Sequence, residues 1–459
     1  MRARILTRRS AALAGGVIVS ALIVACAAAD TPSDAVSSSS DASAEGTVLP
    51  PNDSDAAQPD DTSVADAAMP CSPDGWCKTT LPGLNVIVLD VVPFEKRAFA
   101  MMSGDNIIYK IGEWTPESGW ILLKGSPPPT VGSFPSRFWA PDEDTVYETL
   151  IDYSGLLSGG SVAIVVVRGR RPVAPATEWT WTTGRIPCDR LPGGAAVGGS
   201  TDGNVYVATC GKIYRLDTSP GAGGAADGGA DAGTETLQWV DEGFVDVDQS
   251  APIDFYEIGG TGPDDLWFAG ARGNAYVFGG QSPCAILVHK NADGYRTVLD
   301  GISLPSGCIN RDDLSMVPGS LSQGISTPSK NRVLAATEAI DEHGVNVLLN
   351  VGLSGDQVTV ATTRPPPSMA MAVLGSVWAM SPDDLLVVAT YDSNTAIERS
   401  ALIRGQSIWG DSPSYGFSRL AINGSANPTL LHRVRGTSNQ NLWAVGTYNA
   451  YHKSAPNAP

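Results

Sequence analysis

Gly262-Pro263-Asp264-Asp265-Leu266-Trp267-Phe268-Ala269-Gly270 is the stretch on which the fold turns. It recurs in altered form as Ser381-Pro382-Asp383-Asp384-Leu385-Leu386-Val387-Val388-Ala389 and as Thr437-Ser438-Asn439-Gln440-Asn441-Leu442-Trp443-Ala444-Val445-Gly446. Pro presets the turn dihedral, Asp or Asn caps the turn through its side chain, and the apolar run that follows enters a sheet. Looser copies begin at Pro93, Pro141, Thr201 and Pro328, which makes seven. A unit repeated this often is one element of an array, and the array sets the architecture.

The same pattern of short apolar strands surrounds each turn. One strand precedes it, as at residues 84–92, 255–258 and 372–380; a second follows directly; a third lies further on, as at 106–111, 285–289 and 400–404. A fourth segment, often aromatic, closes most units: 119–122, 179–181, 237–240, 295–298, 357–361 and 417–420. Four strands in roughly 50 to 65 residues is the period of a propeller blade. The expected fold is an all-β, seven-bladed β-propeller, with six to eight blades allowed by the weaker copies. The seventh unit stops after its third strand, near residues 448–453, and residues 71–81 have the look of the missing fourth. Pairing this N-terminal strand with the last unit closes the ring and removes a seam of unpaired backbone.

Composition agrees with this reading and narrows the function. Of 459 residues, 50 are Gly and 33 Pro while only 17% are charged, a profile of many turns and short strands rather than long helices. The formal net charge of -18 leaves no electrostatic footprint for DNA, RNA or anionic lipid.

The N-terminal segment reads as an address. Arg2, Arg4, Arg8 and Arg9 precede an uncharged apolar run over residues 11–25, a secretory signal too short to span a bilayer as a permanent helix. It ends in Ile23-Val24-Ala25-Cys26, which resembles the lipobox of bacterial lipoproteins, in which the Cys thiol receives a diacylglyceryl group. Acyl chains on Cys26 would provide the multiple anchors that stable attachment needs. Arg8-Arg9 leaves both general and twin-arginine export open. Residues 27–69 hold nine acidic residues and no basic or aromatic ones, so they cannot bury enough apolar surface to offset their ordering entropy. The expected organisation is a signal peptide at 1–25, a disordered linker with lipidated Cys26 at 26–70, and a propeller at 71–459. Ala27 in place of an acidic residue favours the outer membrane or cell surface.

From residue 71 onward the chain resembles a family of surface lipoproteins of soil-dwelling proteobacteria. These are propellers with repeats that read approximately Trp-Gly-Ser-x-x-x-Asp-Val-Trp-Ala-Val-Gly and an opening segment containing Asp-Gly-Trp-Cys. Asp74-Gly75-Trp76-Cys77, Asp265-Leu266-Trp267-Phe268-Ala269-Gly270 and Asn441-Leu442-Trp443-Ala444-Val445-Gly446 carry the resemblance. It implies a propeller and brings no assigned activity with it.

Seven cysteines less Cys26 leave an even six in an oxidising compartment, for which sequence alone allows 15 pairings. The blade map selects among them. Cys188 follows a fourth strand and Cys210 the second strand of the next blade; Cys284 and Cys308 follow the second and fourth strands of one blade. Each pair falls on one face of a propeller, so Cys188 is expected with Cys210, Cys284 with Cys308, and Cys71 with Cys77 around a Pro-Asp-Gly turn. Residues 219–236, rich in Gly, Ala and Asp, read as a surface loop inside the third blade.

Signs of chemistry are sparse. His289, His343, His432 and His452 show no metal-ligand spacing, and His343 sits in a turn-like Asp-Glu-His-Gly. No nucleophile elbow, phosphate loop or dinucleotide fingerprint occurs. Asp264, Asp265, Asp383 and Asp384 recur at one topological position and are expected as turn caps rather than a hydrolytic pair. Asp246 and Asp248 lack the other ligands of a calcium loop, and Arg168, Arg170 and Arg171 read as a solvated hairpin end. Phe99, Tyr147, Tyr206, Trp267 and Trp443 occupy equivalent strand positions suited to packing between blades. Trp139 and Trp378, in innermost strands, are the candidates to line the central channel. No catalytic residue, cofactor or metal site is expected. The expected function is a monomeric, non-enzymatic, membrane-anchored module that binds a protein or glycan but no nucleic acid. A polysaccharide hydrolase or lyase on the same scaffold and a purely structural envelope protein are the alternatives.

Overall fold

The structure is a computed structural model. It describes residues 71–454 except 105–106, 126–132, 158–159, 220–235, 247, 249–250, 274–281, 312–313, 339–345, 367–370, 392–398 and 421–429. The signal segment, Cys26 and the acidic linker lie outside the described residues, as do most of the Gly/Ala/Asp-rich loop and His343.

Seven four-stranded antiparallel sheets form a ring, a seven-bladed β-propeller. β1 (Trp76–Lys78) comes first in the chain but belongs to the last blade. The first blade is β2 (Ile87–Pro93), β3 (Ala98–Gly104), β4 (Ile107–Thr115) and β5 (Gly119–Leu122). The second is β6 (Ser133–Asp142), β7 (Thr145–Asp152), β8 (Ala163–Arg170) and β9 (Thr180–Pro187), with the single-turn α1 (Ser154–Leu157) between β7 and β8. The third is β10 (Ala195–Thr201), β11 (Asn204–Thr209), β12 (Lys212–Leu216) and β13 (Trp239–Asp241). The fourth is β14 (Ile253–Gly262), β15 (Asp265–Arg272), β16 (Cys284–Asn291) and β17 (Gly294–Leu299), followed by a hairpin of β18 (Ile302–Leu304) and β19 (Gly307–Ile309). The fifth is β20 (Ile325–Ser329), β21 (Arg332–Ala336), β22 (Leu348–Ser354) and β23 (Gln357–Thr363). The sixth is β24 (Met371–Ser381), β25 (Asp384–Tyr391), β26 (Arg399–Gln406) and β27 (Ser414–Ser418). The seventh is β28 (Leu431–Ser438), β29 (Asn441–Gly446) and β30 (Asn449–Ser454), completed by β1.

Burial follows position within a blade. Second strands are covered on both faces, and β7 and β15 are buried at every residue, which is why they read as apolar runs rather than alternations. Outer strands alternate: β23 is exposed and half-buried by turns. First strands touch one another in a closed cycle, β2, β6, β10, β14, β20, β24, β28 and back to β2. They approach closely enough to demand glycine, since a Cβ on Gly198 would stand 2.8 Å from Ile258 in the neighbouring blade.

Seven hydrophobic clusters fill the seven blade interfaces. Phe99, Tyr147, Tyr206, Trp267 and Trp443 each plug the interface between their own blade and the next, all at most 2% exposed. Burial of such a side chain contributes about 2 to 3 kcal/mol. The ring closes as the unpaired seventh unit requires: Trp76, Cys77 and Lys78 pair with Lys453, His452 and Tyr451. In the sixth blade the fourth strand lies earlier than residues 417–420, because Leu420 leaves the sheet to become buried in the interface with the seventh blade.

The repeated turn acids do more than cap their own turn. Asp265 Oδ1 meets His289 Nε2 at 2.9 Å and accepts the backbone N–H of Asn331 in the next blade's turn at 3.1 Å; its Oδ2 accepts the Thr261 hydroxyl at 2.5 Å. In the seventh blade Asn441 contacts His452 Nε2 at 3.0 Å and donates to Thr437 Oγ1 and to the carbonyl of Phe94 in the first blade's turn, both at 2.8 Å. His289 packs on Trp267 and His452 on Trp443, ring centres 4.4 Å apart in both. Burial pushes the His452 imidazole down to about 4, so it is neutral at pH 7. Each such set bolts one blade to the next.

A candidate binding site at the channel mouth

Side chains of a strand point to the two faces of its sheet, and in a propeller those faces meet neighbouring blades. A break in the pleat can turn a side chain out of that pattern. Five first strands carry such a break at one level: the pairing with the second strand shifts at Leu89 in β2, Ser136 in β6, Tyr256 in β14, Gly375 in β24 and His432 in β28. A bulge of this kind re-aims the residues around it. In β24 the residue after the bulge is Ser376, and in the other four it is charged: Asp90, Arg137, Glu257 and Arg433.

These four groups, with Arg435 one step further along β28, form a network across the channel. Arg435 Nε and Nη2 donate to the two oxygens of Asp90 at 2.9 and 3.1 Å, and Nη2 also reaches Glu257 at 2.7 Å. Arg433 lies 3.8 Å from Asp90 and 3.5 Å from Glu257, and donates to the carbonyl of Gln323. Arg137 stands 3.6 Å from Glu257 and donates to the carbonyls of Ser136 at 2.8 Å, Ser322 at 2.5 Å and Tyr256. Blades one, two, four, five and seven are thereby tied across the axis.

Electrostatics follow from the count. Burial opposes ionisation of Asp90, but the guanidinium groups of Arg435 and Arg433 outweigh it and hold the carboxyl below its ordinary range. Burial likewise disfavours the Arg435 cation, and Asp90 and Glu257 overcome that and raise its pKa. Arg137 is the group left short of compensation: burial and then the repulsion of Arg433 press it down to about 10. It stays protonated at pH 7, as arginines in proteins do.

A cavity of about 320 Å³ opens over this network. Its charged lining is Asp90, Arg137 and Arg433; Leu89, Met101, Pro135 and the Tyr256 ring supply apolar wall. His432 also lines it, bonded to Thr447 Oγ1 at 3.2 Å, with its pKa lowered by burial and by Arg433. These residues lie near the beginnings of the first strands. On that face second strands end and third strands begin, so the bridges Cys188–Cys210 and Cys284–Cys308 border the same face. Cys71–Cys77, the third bridge expected, flanks the start of β1 on the opposite face.

The two tryptophans expected in the channel are not in this lining. Trp139 packs on the core between the second and third blades, 5.9 Å from the Tyr147 ring, and Trp378 donates from its indole to the carbonyl of Gly436 at 2.8 Å in the sixth-to-seventh interface.

Other clusters resolve into ion pairs. Asp246 and Asp248 hold Arg272 and Arg311 rather than standing open as loop ligands. Arg168 is buried, Arg170 pairs with Asp202 at 2.7 Å, and Arg171 binds Glu113 and Asp144 while lying over Trp179, so the expected solvated hairpin end is a packed junction. Among the described residues no three His, Cys, Asp or Glu side chains converge as a metal site. The charges that build the channel network carried a signal the repeat reading passed over. Counted back from the first residue of each second strand (Ala98, Thr145, Asp265, Asn441), Asp90, Arg137, Glu257 and Arg433 occupy one offset, where the other three blades have Ala196, Gly324 and Ser376.

No protein-family model matches the chain, and no curated protein is similar to it by sequence. Among solved structures it is similar in fold to a glucose dehydrogenase (14% identity, 66% of this chain and 96% of that one, TM-score 0.34). A luciferin-regenerating enzyme (10%, 70% and 91%, TM-score 0.38) and the soluble aldose sugar dehydrogenase of Escherichia coli (13%, 66% and 96%, TM-score 0.37) are similar to a like degree. Likenesses of this size bring no activity to the chain.

Proposed function

We propose that this protein is a lipid-anchored, non-enzymatic propeller of the outer membrane or cell surface that binds a protein or glycan at its channel mouth. Cys26 carries the lipid, and the acidic linker holds the ring away from the bilayer. The observation that supports binding over hydrolysis is the clamping of Asp90 and Glu257 by one guanidinium, that of Arg435. Hydrolysis of a glycosidic bond by a carboxyl pair needs one of them protonated to serve the leaving group. Asp90, with its pKa lowered by two arginines, is poorly suited to that task.

The test uses the full chain, made with its own leader and purified in detergent, against a panel of neutral and acidic polysaccharides and purified envelope proteins. Saturable retention without release of new reducing ends is the expected result. Release of reducing ends would replace this reading by the hydrolase, and retention of nothing would leave the structural role. Mass spectrometry of the N-terminal peptide tests the anchor: an acylated Cys26 is expected, and an unmodified thiol would remove the lipid from the proposal.

A further inference from the structure

Three guanidinium groups and two carboxylates share the channel, and the pairing among them is uneven. Arg435 takes both oxygens of Asp90 and the nearer oxygen of Glu257. Arg137 and Arg433, the two that face the cavity, are left with carboxylate contacts of 3.5 to 3.8 Å and with backbone carbonyls. Carbonyls satisfy N–H groups but do not cancel charge. The Arg433 side chain is 6% exposed and that of Arg137 20%, so water screens neither well. Two other acids stand near the cavity. Asp254 is paired with Arg190 at 3.0 Å, and Glu338, outside the cavity lining, accepts from Ser322 and Gln323.

Space has been kept for the imbalance. The equivalent positions in the third, fifth and sixth blades are Ala196, Gly324 and Ser376, too short to cross the axis. At Gly324, whose φ is +106°, a Cβ would lie 2.6 Å from Arg433 Nη1. The Tyr256 ring centre lies 5.9 Å from the Arg137 guanidinium, and with Leu89, Met101 and Pro135 it gives the cavity an apolar side. A volume of about 320 Å³ is at the small end of ligand sites and takes a molecule about the size of one sugar ring. Planar guanidinium groups recognise carboxylates through paired N–H donors.

Resting on the binding reading above, we infer that Arg137 and Arg433 anchor a carboxylate in this cavity, and that the ligand is a carboxylate-bearing sugar, either free or as the terminal unit of an acidic glycan. The charged group sits between the two arginines and the ring lies toward Tyr256 and Pro135.

Isothermal titration of the full chain with sodium glucuronate, glucose and inorganic phosphate tests this. Expected are one glucuronate per chain and an affinity at least tenfold above that for glucose and for phosphate. Equal affinity for glucose would overturn the carboxylate anchor; equal affinity for phosphate would overturn the sugar; no heat from glucuronate would overturn the site. A short oligosaccharide ending in glucuronate separates the two sources: tighter binding than the monosaccharide assigns a chain terminus, and weaker binding a free acid. Arg137→Lys should weaken glucuronate binding at least tenfold. Because that change could disturb the fold, Pro135→Glu is the second variant; it keeps both arginines and adds a competing carboxylate at the rim, with the same loss expected. Unchanged affinity in a folded Pro135→Glu protein would overturn the placement. The broader reading fails separately: polysaccharides or envelope proteins retained by wild type and by Arg137→Lys alike would keep the binding module and remove only this ligand.

Discussion

Replacing Asp265 by Ala tests whether the repeated turn acid is a bolt between blades or only a cap. The carboxylate is 2% exposed and accepts three hydrogen bonds. The Thr261 hydroxyl is exposed and regains water, so its loss costs little. His289, 3% exposed, and the backbone N–H of Asn331 lose their acceptor. Leaving a buried donor unpaired costs roughly 1 to 3 kcal/mol; the half-buried Asn331 N–H adds less than the buried His289, and the two together give a loss of about 3 kcal/mol. At a denaturant slope of about 3 kcal/mol per molar, the urea midpoint should fall by about 1 M. Tryptophan fluorescence reports directly, since Trp267 packs on His289. The exposed neighbour Asp264 supplies the control, and Asp264→Ala should stay within about 0.5 kcal/mol of wild type. The effect has a pH signature. Burial opposes the Asp265 charge, but the bonds from His289, Thr261 and Asn331 prevail and lower its pKa. A carboxyl with a lowered folded pKa contributes stability that is complete above its unfolded pKa, about 3.9, and fades as pH falls through the folded value. The gap between wild type and Asp265→Asn should therefore close below about pH 4. Equal midpoints for the Asp264 and Asp265 variants at pH 7 would refute the bolt.

Glu148, with its pKa raised to about 7 by burial against a smaller opposing pull from Lys110, should make stability fall as pH rises from about 4.5 to 7; Glu148→Gln should abolish that slope and gain about 2 to 3 kcal/mol at pH 8. Arg272, 1% exposed between Asp246 and Asp300, should cost about 3 to 5 kcal/mol as Met, less at pH 4 than at pH 7, read by urea unfolding. Trp76→Ala empties a fully buried site and frees Ser418 Oγ, to which the indole donates at 2.9 Å; a loss of about 3 to 5 kcal/mol and early proteolytic cleavage near β1 are expected. Replacing Cys284 and Cys308 by Ser opens a loop spanning a sequence separation of 24, and should lower stability by about 3.5 kcal/mol with the propeller's circular dichroism retained.

What could be read in the chain beforehand was whatever depends on local chemistry repeated in order. The turn residues preceding Ala98, Thr145, Asn204, Asp265, Arg332, Asp384 and Asn441 mark all seven hairpins between first and second strands. Once blades were ordered, the faces on which cysteines fall followed from strand direction alone, and all three pairings agree with the structure. The channel was not legible in the same way, because its lining depends on bulges. A bulge depends on pairing with a second strand, so nothing local to Ser136 or Tyr256 announces one. Trp139 and Trp378 do lie in innermost strands, but strand position alone does not say which way a side chain faces, and both pack in a blade interface. Arg168 was misjudged for a related reason: the packed second-to-third blade junction is brought to it by tertiary structure.

The closing strand has a consequence for the order of events in the life of the chain. Thr79 donates to the carbonyl of Ala450, 371 residues away, so the first folded segment to be made has no partner until nearly the last residues appear. Contacts of such span are slow to form, and large all-β chains expose unpaired edges while they wait. Six blades can assemble as they emerge, but the ring remains an open arc with the outer edge of β30 bare until β1 docks. A folding factor that shields one edge at that stage would serve this protein better than one that acts on its earlier blades.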